Sequence, residues 1–276
     1  MTASYPPAEH MLRDLRFSFE HDTEAGASRA WLPVVEELCT DHGGARAGAL
    51  ATLVDVIGGG LAAAAAAPDW IATADLTLHL VRAARPGSVV EANARVLRAG
   101  RTTVVIEVDL ADDTDRVIGA ATMSFAVLPR RDHNPDMSSV RSEGPSSMAG
   151  ESSPLRAPFL DALGVVVLDA ATGFVEVPVT DWSRNSMGAL QGGVVATVAD
   201  ASAEVALRAR SGEPLIVSDL QVSFLGFGRS GPVRARAEVL HTTDEFGSAR
   251  VEIVDAGADA RLMTLVSASA TRELGS

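Results

Sequence analysis

The sequence contains no lysine; all 23 basic residues are arginine. Schiff-base chemistry and lysine general bases are therefore excluded. Cysteine is nearly absent too: Cys39 stands alone, so no internal disulfide can form and no cysteine cluster offers a structural metal site. That usage suits a cytoplasmic setting. Positive charge is scarce, with a formal net charge of -13. A general affinity for nucleic acid or an anionic membrane would need a positive field, so neither is expected as a partner. An anionic ligand would require a local basic pocket. No membrane span or export signal is expected either. The N-terminus "MTASYPPAEHMLRD" has no apolar core of a signal peptide, and "GGGLAAAAAAP" is too short and too alanine-rich to span a bilayer.

What is present describes a globular chain. Of its 276 residues 47% are hydrophobic and 21% charged, enough for one large domain or two of ordinary size. The stretch "RDHNPDMSSVRSEGPSSMAGESSP" is rich in Ser, Pro, Gly and charge and reads as a linker. This gives a first domain over 1–130, a linker over 131–157 and a second domain over 158–276. Each side repeats one order of elements: short strands, a small-residue helix, then alternating strands. In the first half "RFSFEHD" and "ASRAWLPV" precede the helix "AGALATLVDVIGGGLAAAA", and four segments of period two follow it. In the second half "GVVVLDA" and "GFVEVPV" precede "GGVVATVADASAEVALRAR", again with four strands after it. The helices overlay without a gap, "RAGALATLVD" on "QGGVVATVAD", so that Asp55 coincides with Asp200. Alternating strands around a helix apolar on all sides imply an α+β fold in which an antiparallel sheet buries a central helix. Two such units are expected to pair sheet to sheet.

An acid on an apolar helix needs a reason. A polar residue hydrogen-bonded at a helix seam is one explanation, with the glycines merely permitting close packing. Yet burying a carboxylate costs several kcal/mol unless it is paired or protonated, and both copies retain theirs. At the other end of the helix, the first turn leaves backbone N–H groups unbonded, and glycine lets a ligand approach them. A thioester carbonyl there would be polarised, and a positioned carboxylate could activate water; such donors and bases contribute ~10²–10³ and ~10²–10⁴ in rate. One helix cannot supply both to one substrate, because Gly192 and Asp200 lie about 12 Å apart along it. Two helices packed antiparallel across a pseudo-twofold axis would bring the N-terminus of each beside the Asp of the other.

These residues resemble the pattern of tandem, or double, hotdog-fold proteins of the PaaI-like acyl-CoA thioesterase family. That pattern is Asn, Gly three later, His-Gly-Gly, an acid nine residues after the His, and then a Ser or Thr. In "NSMGALQGGVVATVAD", Asn185, Gly188, Gly192, Gly193 and Asp200 match, while Gln191 replaces the His. In "TDHGGARAGALATLVD", Gly43, Gly48 and Asp55 match, but Thr40, Arg46 and Ala47 stand at the Asn, His and first Gly positions. Thr73 occupies the hydroxyl position before Asp75, whereas Ser218 directly precedes Asp219 and is expected to face the opposite side of its strand. The resemblance implies a double hotdog with sites built across the halves. Site one would take Asp55 and Thr73 from the first half and Asn185, Gln191 and Gly192 from the second. There Gly192 N–H and Asn185 would hold the thioester oxygen, Asp55 would act as base or nucleophile, and Thr73 would orient water. Site two, around Asp200 with Thr40, Arg46 and Ala47, lacks the Asn and is the weaker candidate. Gly193 and, on the turn "RAGR", Arg98 and Arg101 are candidate substrate contacts, the arginines for the phosphates of CoA. No cofactor or metal is implied beyond CoA as part of the substrate, and a homodimer of such chains is compatible with the pattern.

Other residues carry competing readings. His42 adjoins the motif but is not at the His position, and His79 alternates with Leu78 and Leu80, so it should face solvent or the interface. Glu204, one turn after Asp200, either raises the Asp200 pKa or begins a solvated face. Gly58, Gly59 and Gly60 make room for a ligand or a facing backbone, or else break the helix, at roughly 1 kcal/mol each relative to alanine. Three functions remain open: a thioester hydrolase, an acyl-CoA-binding module that has lost turnover, and, last, a hydratase, for which the required His–acid pair is missing.

Overall fold

A computed structural model of the chain describes residues 5–22, 24–130, 144–150 and 154–275. In chain order these form α1 (Met11–Asp14), β1 (Ser18–Asp22), β2 (Ala27–Pro33), α2 (Ala47–Ala66), β3 (Trp70–Leu80), β4 (Val89–Ala99), β5 (Thr103–Asp112) and β6 (Val117–Leu128). They continue with β7 (Gly144–Ser147), α3 (Phe159–Leu163), β8 (Val166–Asp169), β9 (Phe174–Val177), α4 (Gly192–Ser211), β10 (Ile216–Phe224), β11 (Val233–Thr242), β12 (Phe246–Asp255) and β13 (Arg261–Thr271). The expected order of strands, helix and strands is present in both halves.

The sheet order is β7-β1-β2-β4-β5-β6-β3-β10-β13-β12-β11-β9-β8, all pairs antiparallel. Apart from β7 the order is palindromic about the β3–β10 seam, which is the signature of a double hotdog. The two sheets therefore join edge to edge, Leu76 opposite Val222 and Leu78 opposite Leu220, and form one continuous surface. Each half thereby hides one sheet edge that would otherwise present unpaired backbone groups. Of the expected linker, residues 131–143 and 151–153 lie outside the described residues. Its described part, Gly144–Ser147, adds to the outer edge of β1.

Strand alternation buries one face of the sheet on the helices. In α2, Leu50, Leu53, Val54, Ile57 and Leu61 are fully buried, each contributing about 1.5–3 kcal/mol. The α2 helix runs without a break through Gly58–Gly60, so the glycines do not end it. A Cβ on Gly58 would stand 2.7 Å from Met123 Sδ, whereas one on Gly60 would meet nothing within 4 Å. Gly58 lets the helix approach β6, and Gly60 faces open space.

The two helices cross at their N-terminal turns. A Cβ on Gly48 would lie 2.3 Å from Thr197 Cα, and one on Gly193 would lie 2.4 Å from Thr52 Cα. Both contacts are backbone-close and obey the same pseudo-twofold axis. The loops entering the helices match as well: Gly43 and Gly188 sit at φ +71° and +72°, in turns that glycine enters without steric cost. Asn185 N–H donates to Ala189 O at 2.7 Å and Thr40 N–H to Gly44 O at 2.9 Å. These repeated glycines are thus requirements of the turn and the helix crossing.

Candidate active site

Because α2 and α4 cross antiparallel, each helix start meets the other's acid. At the first of these meetings Asp55, buried in α2, accepts from Thr73 Oγ1 on β3 at 3.0 Å and from Gln191 Nε2 at 2.7 Å. A Cβ on Gly192 would stand 2.8 Å from Asp55 Oδ2, so a larger residue there would push the carboxylate from its place. The Gly192 N–H, in the first turn of α4, has no acceptor among the described residues. Gln191 caps that helix: its Oε1 accepts from Gly193 N–H at 2.6 Å and Val194 N–H at 3.3 Å while its Nε2 holds Asp55. One side chain therefore fixes both the helix start and the acid, which explains how glutamine can stand where the family pattern has histidine.

Burial pushes the Asp55 carboxyl from its ordinary 3.8 up to about 6, against the lowering effects of Thr73, Gly193 N–H and Gln191. A carboxylate has about four acceptor positions. Thr73 and Gln191 occupy two of them, which leaves room for a further donor such as water.

Asn185 lies on the loop before α4. Its Oδ1 accepts from Met187 N–H at 2.9 Å and Ala189 N–H at 3.1 Å, so the side-chain carbonyl shapes the loop and only the amide nitrogen is left for a ligand. The loop itself is gripped from the other half. His10, fully buried, and Tyr5, partly exposed, both reach Arg184 O, and Trp182 Nε1 donates to Asp14 Oδ2 at 2.8 Å. Sequence reading passed over these N-terminal residues. The available signals were that Tyr5 is the chain's one tyrosine and that His10 aligns with Pro158 in the second half, a pair with no common chemistry.

The second meeting point has the same backbone and different chemistry. Asp200 accepts from Gly48 N–H at 3.1 Å and from Arg46 Nη1 at 2.9 Å, and Arg46 Nη2 reaches Glu204 at 3.1 Å. The guanidinium is buried between the two acids. Asp200 is consequently held in an ion pair, and Ala47 stands where the first site has Gly192. Glu204 is not the start of a solvated face: burial pushes its carboxyl up, opposed by Arg46.

Ser218 makes no contact with Asp200; its Oγ donates to Asp219 Oδ2 at 2.6 Å. Simple alternation does not describe this region. Both strands carry a bulge at equivalent places, between Thr73 and Asp75 and between Val217 and Asp219, and Ser218 is itself the bulged residue. Arg98, near the end of β4, and Arg101, on the β4–β5 turn, are both exposed. His79 Nδ1 meets Asp219 Oδ1 at 2.6 Å across the β3–β10 seam, on the solvent side, as its alternation suggested. His42 Nε2 is buried without a partner, and no histidine contacts Asp55 among the described residues. Nor do those residues contain a cluster suited to a metal ion.

Comparison with known proteins points the same way as the geometry. The family model of the thioesterase superfamily matches residues 42–118 and 187–259, one segment in each half. An acyl-ACP thioesterase from Bacteroides thetaiotaomicron VPI-5482 superposes with a TM-score of 0.60 at 10% identity, covering 90% of this chain and 99% of its own. The 12:0-ACP thioesterase from Umbellularia californica gives 0.59 at 9% identity, covering 89% and 94%. At such identities the likeness is one of fold. No curated protein matches the sequence.

Proposed function

The chain belongs to the thioesterase superfamily, and from that premise we propose that it hydrolyses acyl-CoA thioesters, in the PaaI-like manner, at the site around Asp55. The observation that carries this reading is the meeting of Asp55 with the open first turn of α4. The thioester carbonyl oxygen lies against Gly192 N–H and the Asn185 amide, which strengthen as negative charge develops on it. Asp55 takes a proton from water as the water oxygen bonds to the carbonyl carbon. Collapse of the adduct breaks the C–S bond and the proton returns to the leaving thiolate, giving carboxylic acid and free CoA. Direct attack by the carboxylate, through an anhydride, uses the same atoms. A base whose pKa has risen to about 6 is stronger than an ordinary carboxylate and is still ionised at neutral pH. Thr73 and Gln191 orient it. Arg98 and Arg101 supply the positive charge that the CoA phosphates require, and no cofactor enters the reaction. One catalytic site per chain follows from the ion pair that engages Asp200. The linker division of the two domains and a cytoplasmic location complete the proposal.

Release of free thiol from a panel of acyl-CoA substrates tests it, with Asp55→Asn and Asp200→Asn assayed beside the parent. The expected result is turnover of at least one substrate, reduced ~10²–10⁴-fold by Asp55→Asn and retained in folded Asp200→Asn. Acyl-CoA binding without turnover of any substrate would instead establish the binding-module reading, and equal loss in both variants would refute the one-site assignment.

A further inference from the structure

We propose that the N-terminal segment Tyr5–Asp14 is a built part of the Asp55 site, and that His10 is the positioning residue through which it holds the Asn185 turn. His10 is fully buried. Its Nδ1 accepts from Leu12 N–H at 3.2 Å, capping α1, so the ring proton sits on Nε2 and is donated to Arg184 O at 2.7 Å. Tyr5 donates to the same carbonyl at 3.3 Å and meets the His10 ring edge-on at 5.1 Å. Met11 N–H adds a bond to Trp182 O at 3.0 Å. Three successive groups of the first half thus fasten residues 182 and 184 of the second, directly before Asn185.

From there the constraint passes along the chain. Gln191 N–H donates to Ser183 O at 3.0 Å, Asn185 N–H to Ala189 O, and Gln191 Nε2 to Asp55. Shifting the Arg184 carbonyl therefore shifts both the oxyanion amide and the side chain that orients the base. Tyr5 lies close enough to the reacting centre that the Asp55 charge, after burial, pushes its phenol pKa up. The other site has no counterpart: Pro158, in the place of His10, makes no side-chain cap bond and has nothing to donate. The segment thus accompanies the half-site whose Asp is free of an ion pair.

The inference rests on the hydrolase reading for its catalytic consequence, but its structural claim can be measured without turnover. His10→Asn keeps an acceptor for Leu12 N–H and is too short to reach Arg184 O. His10→Gln reaches Arg184 O and gives up the cap. Hydrogen–deuterium exchange of a peptide spanning 182–191 and kcat and KM for thiol release are measured for both variants and the parent. Positioning predicts faster exchange of that loop and a kcat lower by on the order of 10- to 100-fold in His10→Asn, with KM little changed. It also predicts that His10→Gln restores both. A role confined to capping α1 reverses the ranking and overturns the proposal, as does unchanged loop protection in His10→Asn. Should the parent hydrolyse no thioester, the functional reading fails and the exchange comparison alone decides the positioning claim.

Discussion

Asp55 should make the protein less stable as the pH rises, and the effect is large enough to measure. Its carboxyl moves from 3.8 in the unfolded chain to about 6 in the folded one. A folded-state pKa above the unfolded value means that the folded protein holds the proton more tightly. The group's contribution to stability is therefore complete below about pH 4 and is lost as the pH climbs through about 6. At about 1.4 kcal/mol per pH unit of difference, the full loss is about 3 kcal/mol, of which about 2 kcal/mol falls between pH 4 and pH 8. Urea unfolding of the parent and of Asp55→Asn at a series of pH values isolates it, because other titrating groups are common to both and cancel in the difference. The variant can keep its amide oxygen toward Gln191 Nε2 and turn its amide nitrogen to the Thr73 hydroxyl, which can accept; any offset is constant with pH and the slope reports ionisation. The gap between the two proteins should move by about 2 kcal/mol in favour of the variant from pH 4 to pH 8. A gap that stays constant would mean that the carboxylate is solvated or paired in the folded state, and the argument for a strengthened base would collapse with it.

Two further stability predictions come from the helix crossing. Arg46→Ala leaves Asp200 and Glu204 buried without their cation and should cost about 3–5 kcal/mol, read as a fall in the urea midpoint. Removing the exposed Arg250–Glu238 pair should leave the midpoint almost unmoved, and equal losses would show the Arg46 cluster to be solvated. Gly193→Ala drives a Cβ against the Thr52 backbone and should destabilise by about 1–3 kcal/mol or more, whereas Gly60→Ala, in open space, should stabilise by about 1 kcal/mol. Thermal midpoints that move in the same direction for both variants would contradict the packing described.

Much of this was legible in the chain because both periodicities were strong. The small-residue helices were found to within a residue or two of Ala47–Ala66 and Gly192–Ser211, since their internal repeat fixes their ends against one another. Helix length showed that one helix could not supply both groups, and the resemblance to double hotdog proteins implied the crossed pairing of Asp55 with the start of α4. Other features leave too weak a trace. A bulge adds one residue without altering composition, so Ser218 read as a strand residue of the wrong face and not as the bulge itself. The α1 helix has four residues and no period to detect, and its importance comes from contacts with a loop more than 160 positions away. Gly58–Gly60 left two readings open, room for a facing group or a break; the helix runs through them and Gly58 makes room for Met123, burial of the surrounding face overriding a propensity cost of about 1 kcal/mol each.

Arg46 is the most instructive departure. In the sequence it marks only a missing motif residue, a sign of decay. In the fold its guanidinium crosses to the acid of the other half, so the same backbone scaffold that presents a carboxylate hydrogen-bonded to Gln191 at one crossing holds an ion pair at the other. A symmetric pair of sites would place two desolvated, unpaired carboxylates on the helix seam, each costing stability above its raised pKa. Converting one into an Arg46–Asp200–Glu204 cluster removes that penalty from one crossing and keeps the acid at the other. Both crossings share the α2–α4 contact, in which Gly48 lies against the Thr197 backbone and Gly193 against the Thr52 backbone. On the proposed reading, Asp200 serves the Arg46 ion pair and Asp55 the chemistry, and the difference between the two crossings lies in the residue that faces each acid, Arg46 at one and Gln191 at the other.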